Sequence, residues 1–576
     1  MLPEAFERRT LRATMSDRSS FRSSAFFLHC EILLLLVTLL APIFIMRRKS
    51  ITFDEVSHLP AGYSYWVRRS VQYNQQHPPL IKEICALPLF LAGIKSTKTF
   101  PENEWIYGQN FLFGPSADAS RITFLGRLPV VLIATGLAFL VLAWTRALWG
   151  RAAGILSLCL YTFDPTITAH SQVVTTDVGV AFFSALYLFS LRRYLARRST
   201  KRLIVTGVLL GLALGSKFSA VVLLPITICL VLIVAVSQRP DTAETLSNAT
   251  LGSQSDATGP PAAGFRGSSQ SSLEGMNKRQ RLIVSELIST VCLFGLASVV
   301  VWFLYMCPKD PLFYWRGIQL VHQDHPANSN FYLMGSLKPG GWKLYLLVAW
   351  LVKTPIPSMI LLGAAVVMFF RGRRSSLLDE AFLIIPALGF FIFYSIFGDN
   401  IGVRYLIPCF PFFFIFTGRL VTEIARCKRV YKLALASLLI WYLTEYVAIM
   451  PDHLSYFNQI AGGPEGGIEW LDNSNVDWGQ GLFQLRDFIE GNGIEDYAFF
   501  YFGVADPTYY GIHGRRIEDF SFMLRPTYGT VILSAHGIPR ARDVLKRAFG
   551  DGPLNWLKHT RPWAIVGHAY YVYEIR

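Results

Sequence analysis

Charge is what this chain has least of. Asp, Glu, Lys and Arg make up 16% of its 576 residues, while apolar side chains make up 52%. Soluble proteins carry about 25% charged residues, so the composition points away from a soluble fold and toward a membrane protein. The length also exceeds one ordinary soluble domain. Paired cysteines are missing too. The eight Cys include no C-x-x-C, and Cys30, Cys159, Cys229 and Cys292 fall inside apolar runs. They read as small buried hydrophobes, against a disulfide framework or a zinc site. A cleavable leader is also lacking. The first apolar run, residues 26–46, is too long and has no small-residue cleavage site, so it reads as a signal anchor. Nor do the basic residues form the patch that nucleic acid requires. The net charge is +15, but Lys and Arg collect at the ends of apolar runs, as they do beside membrane helices. Nucleic acid is therefore not an expected partner.

What the chain does have is long apolar runs. A helix needs roughly 20 apolar residues to cross a bilayer, and on that criterion about eleven spans are expected. They fall near 26–46, 127–147, 152–170, 175–192, 203–216, 218–236, 282–305, 342–370, 379–397, 404–425 and 430–450. The fifth is short, and the eighth is interrupted by Pro355 and Pro357; short or broken spans usually line a cavity. Basic residues set the orientation. Arg8, Arg9, Arg12, Arg18 and Arg22 lie in the tail 1–25. Arg192, Arg193, Arg197, Arg198, Lys201 and Arg202 crowd one loop, Arg371, Arg373 and Arg374 a second, and Arg426, Lys428 and Arg429 a third. All four segments fall on one side, the cytoplasmic side by the positive-inside rule. Arg47, Arg48 and Lys49 break that rule on the opposite side and are read as a local exception near lipid phosphate.

The expected fold is thus a polytopic α-helical membrane protein with a small C-terminal extracytoplasmic α/β domain. Its parts are a cytoplasmic tail (1–25), a transmembrane region (26–450) and the α/β domain (451–576). Residues 237–280, rich in Ser, Gly, Thr, Ala and Pro, read as a disordered cytoplasmic loop, where the sequon at Asn248 carries no meaning. In the C-terminal part, YAFFYFGV and TVILSA are strand-like, and LFQLRDFIEG and RARDVLKRAFG are amphipathic helices.

The unusual polar residues gather in the external segments. The long first loop, 47–126, contains ITFDEVSHLPAGYSYW, expected as an interfacial helix anchored by Tyr63, Tyr65 and Trp66. NQQHPPLIKEICALPLFLAG follows, expected as a second interfacial or re-entrant helix. Asp54 and Glu55 sit where the chain leaves the membrane. Two readings stand: a helix N-cap with an acidic first turn, or a desolvated carboxylate able to take a proton from a hydroxyl. His58 shares a helical face with them and, with His77, is a candidate ligand for a divalent metal, although H-E-x-x-H is absent. Asp164 and Asp177 lie at external ends of spans, again as caps or as functional acids. Lys217 and Arg404 are isolated external cations, either snorkelling or binding a lipid-linked phosphate; Lys353 lies deeper and is a similar candidate.

In order along the chain, DE in the first external loop, HPPL, an Asp after the third span and a Lys in LGLALGSK resemble the C-type glycosyltransferases. The nearest branch is glycosyltransferase family 39, with the protein O-mannosyltransferases and the aminoarabinose lipid A transferases. FYLMGSLKPGGWKLYLLVAWLVKTPIP, GVRYLIPCFPF, HLSYFNQIAGGP and SNVDWGQGLFQLRDFI resemble bacterial phospholipid-carrier-dependent members. The resemblance implies transfer of a sugar from a polyprenyl-phosphate donor to an acceptor hydroxyl, with inversion, on the extracytoplasmic face of a bacterial inner membrane. It implies Asp54 as general base and Glu55 as its support. It implies Lys217 and Arg404 on the donor phosphate, Asp177 positioning sugar or acceptor, and His77 shaping the donor pocket. The acceptor is a lipid, a glycan or a protein. D-x-D, WWDYG and a β-trefoil insert are all absent, and the last two absences weigh against a protein acceptor. A flippase for lipid-linked glycans and a non-catalytic glycan-assembly subunit remain alternatives, although no inverted repeat is evident.

Overall fold

The computed structural model describes residues 3–94, 100–237, 278–324, 329–371, 377–425, 427–525 and 528–575. Nearly all of the 237–280 segment, with its Asn248 sequon, lies outside them, as do Arg373, Arg374, Arg426 and the side chains of the tail arginines.

Helices dominate. Among the described residues eight are long and apolar enough to cross a membrane, and a ninth is added if Tyr345–Lys353 and Ile356–Arg371 are one crossing, bent by 112°. That bend falls at the expected place. Thr354 is extended, with φ −94° and ψ 132°, because the ring of Pro355 excludes the helical region for the residue before it. Two other expected spans are helical but are not single long crossings. The segment 152–170 is split into Arg151–Thr162 and Pro165–His170. Its break is built from Asp164, whose carboxylate accepts the Ile167 N–H at 2.9 Å ahead of Pro165 at the first helical position. Asp164 is therefore a cap. The segment near 203–216 is the 15-residue helix Thr200–Leu214, about 22 Å long at 1.5 Å per residue. At the N-terminus the first helix runs from Pro3 to Met46 without a break.

The first long loop folds into helices Glu55–Arg68, Leu80–Leu91 and Glu104–Phe113. The first two meet backbone to backbone. A Cβ at Gly62 would stand 2.1 Å from the Lys82 carbonyl oxygen, so only glycine permits that approach. This packing corrects the expected headgroup anchors. Tyr65 is fully buried and Tyr63 is 6% exposed; their hydroxyls donate to the Tyr73 and Ile94 carbonyls. Trp66 is half-buried and donates to the Glu83 carbonyl at 2.9 Å. These aromatics bind the loop helices to one another.

Seven strands are described. Asn330–Leu333 (β1) and Ser336–Pro339 (β2) form a hairpin closed by Met334 and Gly335, both at positive φ, as a two-residue turn requires. Tyr497–Phe500 (β3), Arg515–Arg516 (β4), Gly529–Ser534 (β5), Ala564–Val566 (β6) and Tyr570–Ile575 (β7) make one sheet in the order β4-β3-β5-β7-β6. β3 is parallel to β4 and β5, and β7 is antiparallel to β5 and β6. Helices Leu482–Gly491 and Gly537–Phe549 accompany it. Both strand-like runs and both amphipathic helices expected from the sequence are present.

The connection between this region and the helices includes hydrogen bonds of backbone to backbone and of side chain to backbone. Ser50 and Phe53 donate to the Gln480 and Trp478 carbonyls at 3.0 and 2.9 Å. Lys353 Nζ donates to the Asn475 carbonyl at 2.6 Å, and Val403 N donates to Asn475 Oδ1 at 2.9 Å. The segment 472–480 is thereby held against the first loop and against the start of the helix that carries Arg404.

Candidate active site

Four chain segments converge on a cavity of about 510 Å³, within the size range of small-ligand sites. Asp54, His58 and His77 come from the first loop, Lys217 from the turn between two helices, and Arg404 from the 3-10 turn Val403–Cys409. Trp478, Phe502, His536 and Arg540 come from the C-terminal region.

Asp54, Arg404 and Lys217 line the cavity and, with Asp177, which does not, form a chain of charges. Asp54 occupies the N-cap position of helix Glu55–Arg68 but makes no cap hydrogen bond. Its carboxylate instead accepts from Arg404 Nη1 at 2.8 Å. Arg404 Nη1 also lies 3.9 Å from Asp177, and Asp177 accepts from Lys217 Nζ at 2.5 Å. The order Asp54, Arg404, Asp177, Lys217 alternates in sign, so each buried charge has an opposite neighbour. The capping reading of Asp54 is thus displaced by a pairing whose partner lies far along the chain. Two buried polar atoms in the network have no hydrogen-bond partner among the described residues, Arg404 Nε and Asp177 Oδ2. Buried unmatched groups are costly, and the Arg404 Nε–H is a donor left without an acceptor in a residue that lines the cavity.

Aromatic rings set the cations in place. Arg404 lies 4.3 Å from the Trp478 ring centroid, and Lys217 lies 4.6 Å from that of Tyr405. A guanidinium stacked on a ring face keeps its in-plane donors available. The neighbouring histidines are pushed below the usual imidazole range, chiefly by burial, so both rings are neutral at pH 7. His58 Nδ1 donates to the Val174 carbonyl at 3.0 Å, and the two rings stand edge to face at 5.2 Å. Among the described residues no group of three or more His, Cys, Asp or Glu is placed to hold a metal ion. His77 lies in a loop pinned by buried Lys82, whose ammonium donates to the Asn74 and His77 carbonyls at 2.5 and 2.8 Å. Burial brings Lys82 down to about 7.

Glu55 is next to Asp54 in sequence and apart from it in role. It is fully buried and does not line the cavity. Its two oxygens take Arg127 Nε and Nη2 at 2.8 and 2.6 Å, a bidentate fork. They also accept the Thr52 and Val174 N–H groups, both at 2.8 Å. Arg127 donates further to the Met46, Lys49 and Ser50 carbonyls. Glu55 therefore braces the loop that presents Asp54. Lys353 is also outside the cavity; it donates to the Leu454 and Asn475 carbonyls and fastens the C-terminal region.

The far rim of the cavity was not legible in the sequence. Asp472 accepts from Arg540 Nη1 at 2.5 Å and lies 3.4 Å from His536 Nδ1. His536 stacks on Phe502 at 3.7 Å, and Phe502 on Phe53 at 5.5 Å. Burial raises the Asp472 carboxyl, opposed by Arg540, and lowers His536. The only sequence signal here is SNVDWGQG, quoted for its resemblance without roles for its residues; it supplies Asn475 and Trp478.

The basic ends of the spans lie away from the cavity. Helix Thr176–Ala196 carries Asp177 in its first turn and Arg192 and Arg193 near its end. Those arginines are about 25 Å from the cavity at 1.5 Å per residue. The spans Phe218–Ser237 and Val403–Ile424 likewise begin at Lys217 and Arg404.

Residues 31–249, which include Asp54, His77, Asp177 and Lys217, match the family model of dolichyl-phosphate-mannose-protein mannosyltransferases. No curated protein matches the sequence significantly. Among solved structures, ArnT from Cupriavidus metallidurans bound to undecaprenyl phosphate is 13% identical, with a TM-score of 0.43, over 94% of this chain and 97% of that one. The archaeal oligosaccharyltransferase AglB from Archaeoglobus fulgidus, in complex with an inhibitory peptide and a dolichol-phosphate, is 11% identical, with a TM-score of 0.44, over 92% and 72%. The Pmt1-Pmt2 protein O-mannosyltransferase complex of S. cerevisiae, bound to the sugar donor, is 15% identical, with a TM-score of 0.31, over 49% and 35%. Likenesses this distant transfer no residue roles. The family match covers residues 31–249, and in that segment the chain is similar to the dolichyl-phosphate-mannose-protein mannosyltransferases.

Proposed function

We propose that this cavity transfers a sugar from a polyprenyl-phosphate donor to an acceptor hydroxyl, with inversion, on the extracytoplasmic face of the membrane. The observation that carries this reading is the buried arginine that lines the cavity between two carboxylates, with its Nε–H unmatched among the described residues. A donor phosphodiester has one negative charge. As its phosphate becomes the leaving group, a second charge develops, and Arg404 with Lys217 stabilises it where it appears. The same phosphate competes with Asp54 and Asp177 for these cations. Asp54, released from Arg404, is then able to take the proton of the acceptor hydroxyl as its oxygen bonds to the anomeric carbon and the carbon–phosphate oxygen bond breaks. Glu55 acts indirectly, through Arg127, by fixing the loop. Asp177 holds Lys217, and His77 shapes the donor side. The acceptor enters past the C-terminal rim at Asp472 and Arg540. The outward orientation is supported by the basic clusters at the opposite ends of the spans that open on the cavity.

The test is transfer from a labelled polyprenyl-phosphate sugar by the purified full chain in detergent. Asp54→Asn keeps a hydrogen-bonding side chain toward Arg404 and is expected to lower turnover by about 10² to 10⁴, with donor binding retained. Arg404→Ala and Lys217→Ala are expected to weaken donor binding and to lower turnover by about 10² each. Transfer by Asp54→Asn at the unaltered rate rejects Asp54 as base. Donor flux across a vesicle membrane without transfer supports the flippase alternative instead.

A further inference from the structure

A second cavity, of about 330 Å³, shares no lining residue with the first. It lies where the span Ala25–Met46 ends, against the first turns of helix Ala119–Trp149 and beside Phe483 and Tyr510. Among the described residues that line it none is acidic, and three are cationic, Arg47, Lys49 and Arg127. Two of these are already paired. Arg127 is held by Glu55 and Lys49 by Asp452, and neither carboxylate lines the cavity. Arg47 has no ion-pair partner among the described residues; it leans over the Phe124 ring at 5.2 Å.

The neutral polar groups here are donors waiting for an acceptor. Thr123 is 5% exposed, and its Oγ1 has no hydrogen-bond partner among the described residues. The Tyr510 hydroxyl accepts the Ile51 N–H at 3.3 Å, which leaves its own proton to give. Ser120 and Thr123 stand in the first turn and a half of a 31-residue helix, whose N-terminal dipole end favours negative charge. A buried hydroxyl left unmatched costs free energy, so Thr123 calls for a hydrogen-bond partner, and a lining with three cations and no acid favours an anionic one. Met46, Phe124 and Phe483 supply an apolar side. Because Met46 closes an apolar span of 22 residues, the opening lies at headgroup depth.

We propose that this cavity binds the phosphodiester headgroup of an anionic membrane phospholipid, with Arg47 as its cation and Thr123 and Tyr510 as hydroxyl donors. The occupant is an ordinary bilayer lipid and need not carry a sugar, so the inference stands whether or not the chain transfers one. Native mass spectrometry of the full chain, released from nanodiscs of phosphatidylcholine with added phosphatidylglycerol, tests it. The wild type is expected to retain one phosphatidylglycerol per chain. Arg47→Gln and Thr123→Val each lower that retention, Arg47→Gln by about tenfold for the loss of one charge-assisted contact. Arg48→Gln, next in sequence but absent from the lining, leaves it unchanged. An unaltered melting temperature shows that the variants are folded. Equal retention by Arg47→Gln and wild type overturns the proposal. So does displacement by excess inorganic phosphate with no lipid retained, which assigns the cavity to free phosphate. Equal retention of phosphatidylcholine and phosphatidylglycerol overturns the anionic selectivity.

Discussion

Replacing Glu55 should separate architecture from catalysis. Glu55 and Arg127 are both within 1% of complete burial at the side chain, and Arg127 pairs with no other carboxylate among the described residues. Glu55→Ala leaves that guanidinium buried with only the Met46, Lys49 and Ser50 carbonyls, and it orphans the Thr52 and Val174 N–H groups. Removing one partner of a buried pair costs about 3 to 5 kcal/mol. Asp54→Asn acts on a different footing. The Asp54 side chain is 20% exposed, its amide replacement still accepts from Arg404, and Asp177 remains beside that guanidinium, so the stability loss should be smaller than that of Glu55→Ala. Denaturant unfolding of the two variants in micelles, beside the transfer assay, gives a crossed pattern. Glu55→Ala is unstable, with turnover falling in step with the folded fraction; Asp54→Asn is stable with turnover lost. A Glu55→Ala protein that unfolds like the wild type yet transfers no sugar would refute the reasoning and place Glu55 in the chemistry.

The remaining expectations are more local. Trp478→Ala removes the ring behind Arg404, a contact worth about 0.5 to 2 kcal/mol, and should raise the donor KM more than it lowers kcat. Arg404→Lys keeps one charge but loses the bidentate reach and the stacking surface, so donor titration should show affinity well below wild type. Arg540→Ala frees Asp472 at the far rim and should raise the acceptor KM with the donor KM unchanged. Burial pushes the Asp477 carboxyl from 3.8 up to about 7. The folded state then holds a proton that the unfolded chain has released, so stability falls as pH rises from about 4 to about 7 and levels off above. In Asp477→Asn, unfolding measured across that window should show a shallower fall.

What could be read from the sequence divides along contact range. Apolar length and basic flanks are local properties, so most of the spans, the bend at Pro355 and the strands around Tyr497 and Thr530 were legible. So were Asp54, Asp177, Lys217 and Arg404 as unusual charges. Their pairing was not, because Arg404 reaches Asp54 across 350 positions, and no periodicity encodes that distance. Local rules mislead at the same point. Asp54 looks like a cap and occupies the cap position, yet tertiary pairing takes its carboxylate elsewhere, whereas Asp164 looks alike and does cap. Tyr63 and Tyr65 have the composition of interfacial anchors, but Gly62 lets two helices close over them. The same limit explains Glu55 and Asp54. Adjacent residues at the start of a helix project about 100° apart, so one side chain faces the cavity and the other faces the protein behind it. Two neighbouring carboxylates that read as one acidic motif are thus assigned opposite environments by the helix itself. The side that receives Arg127 becomes a brace, and the side that meets an incompletely matched arginine lines the cavity.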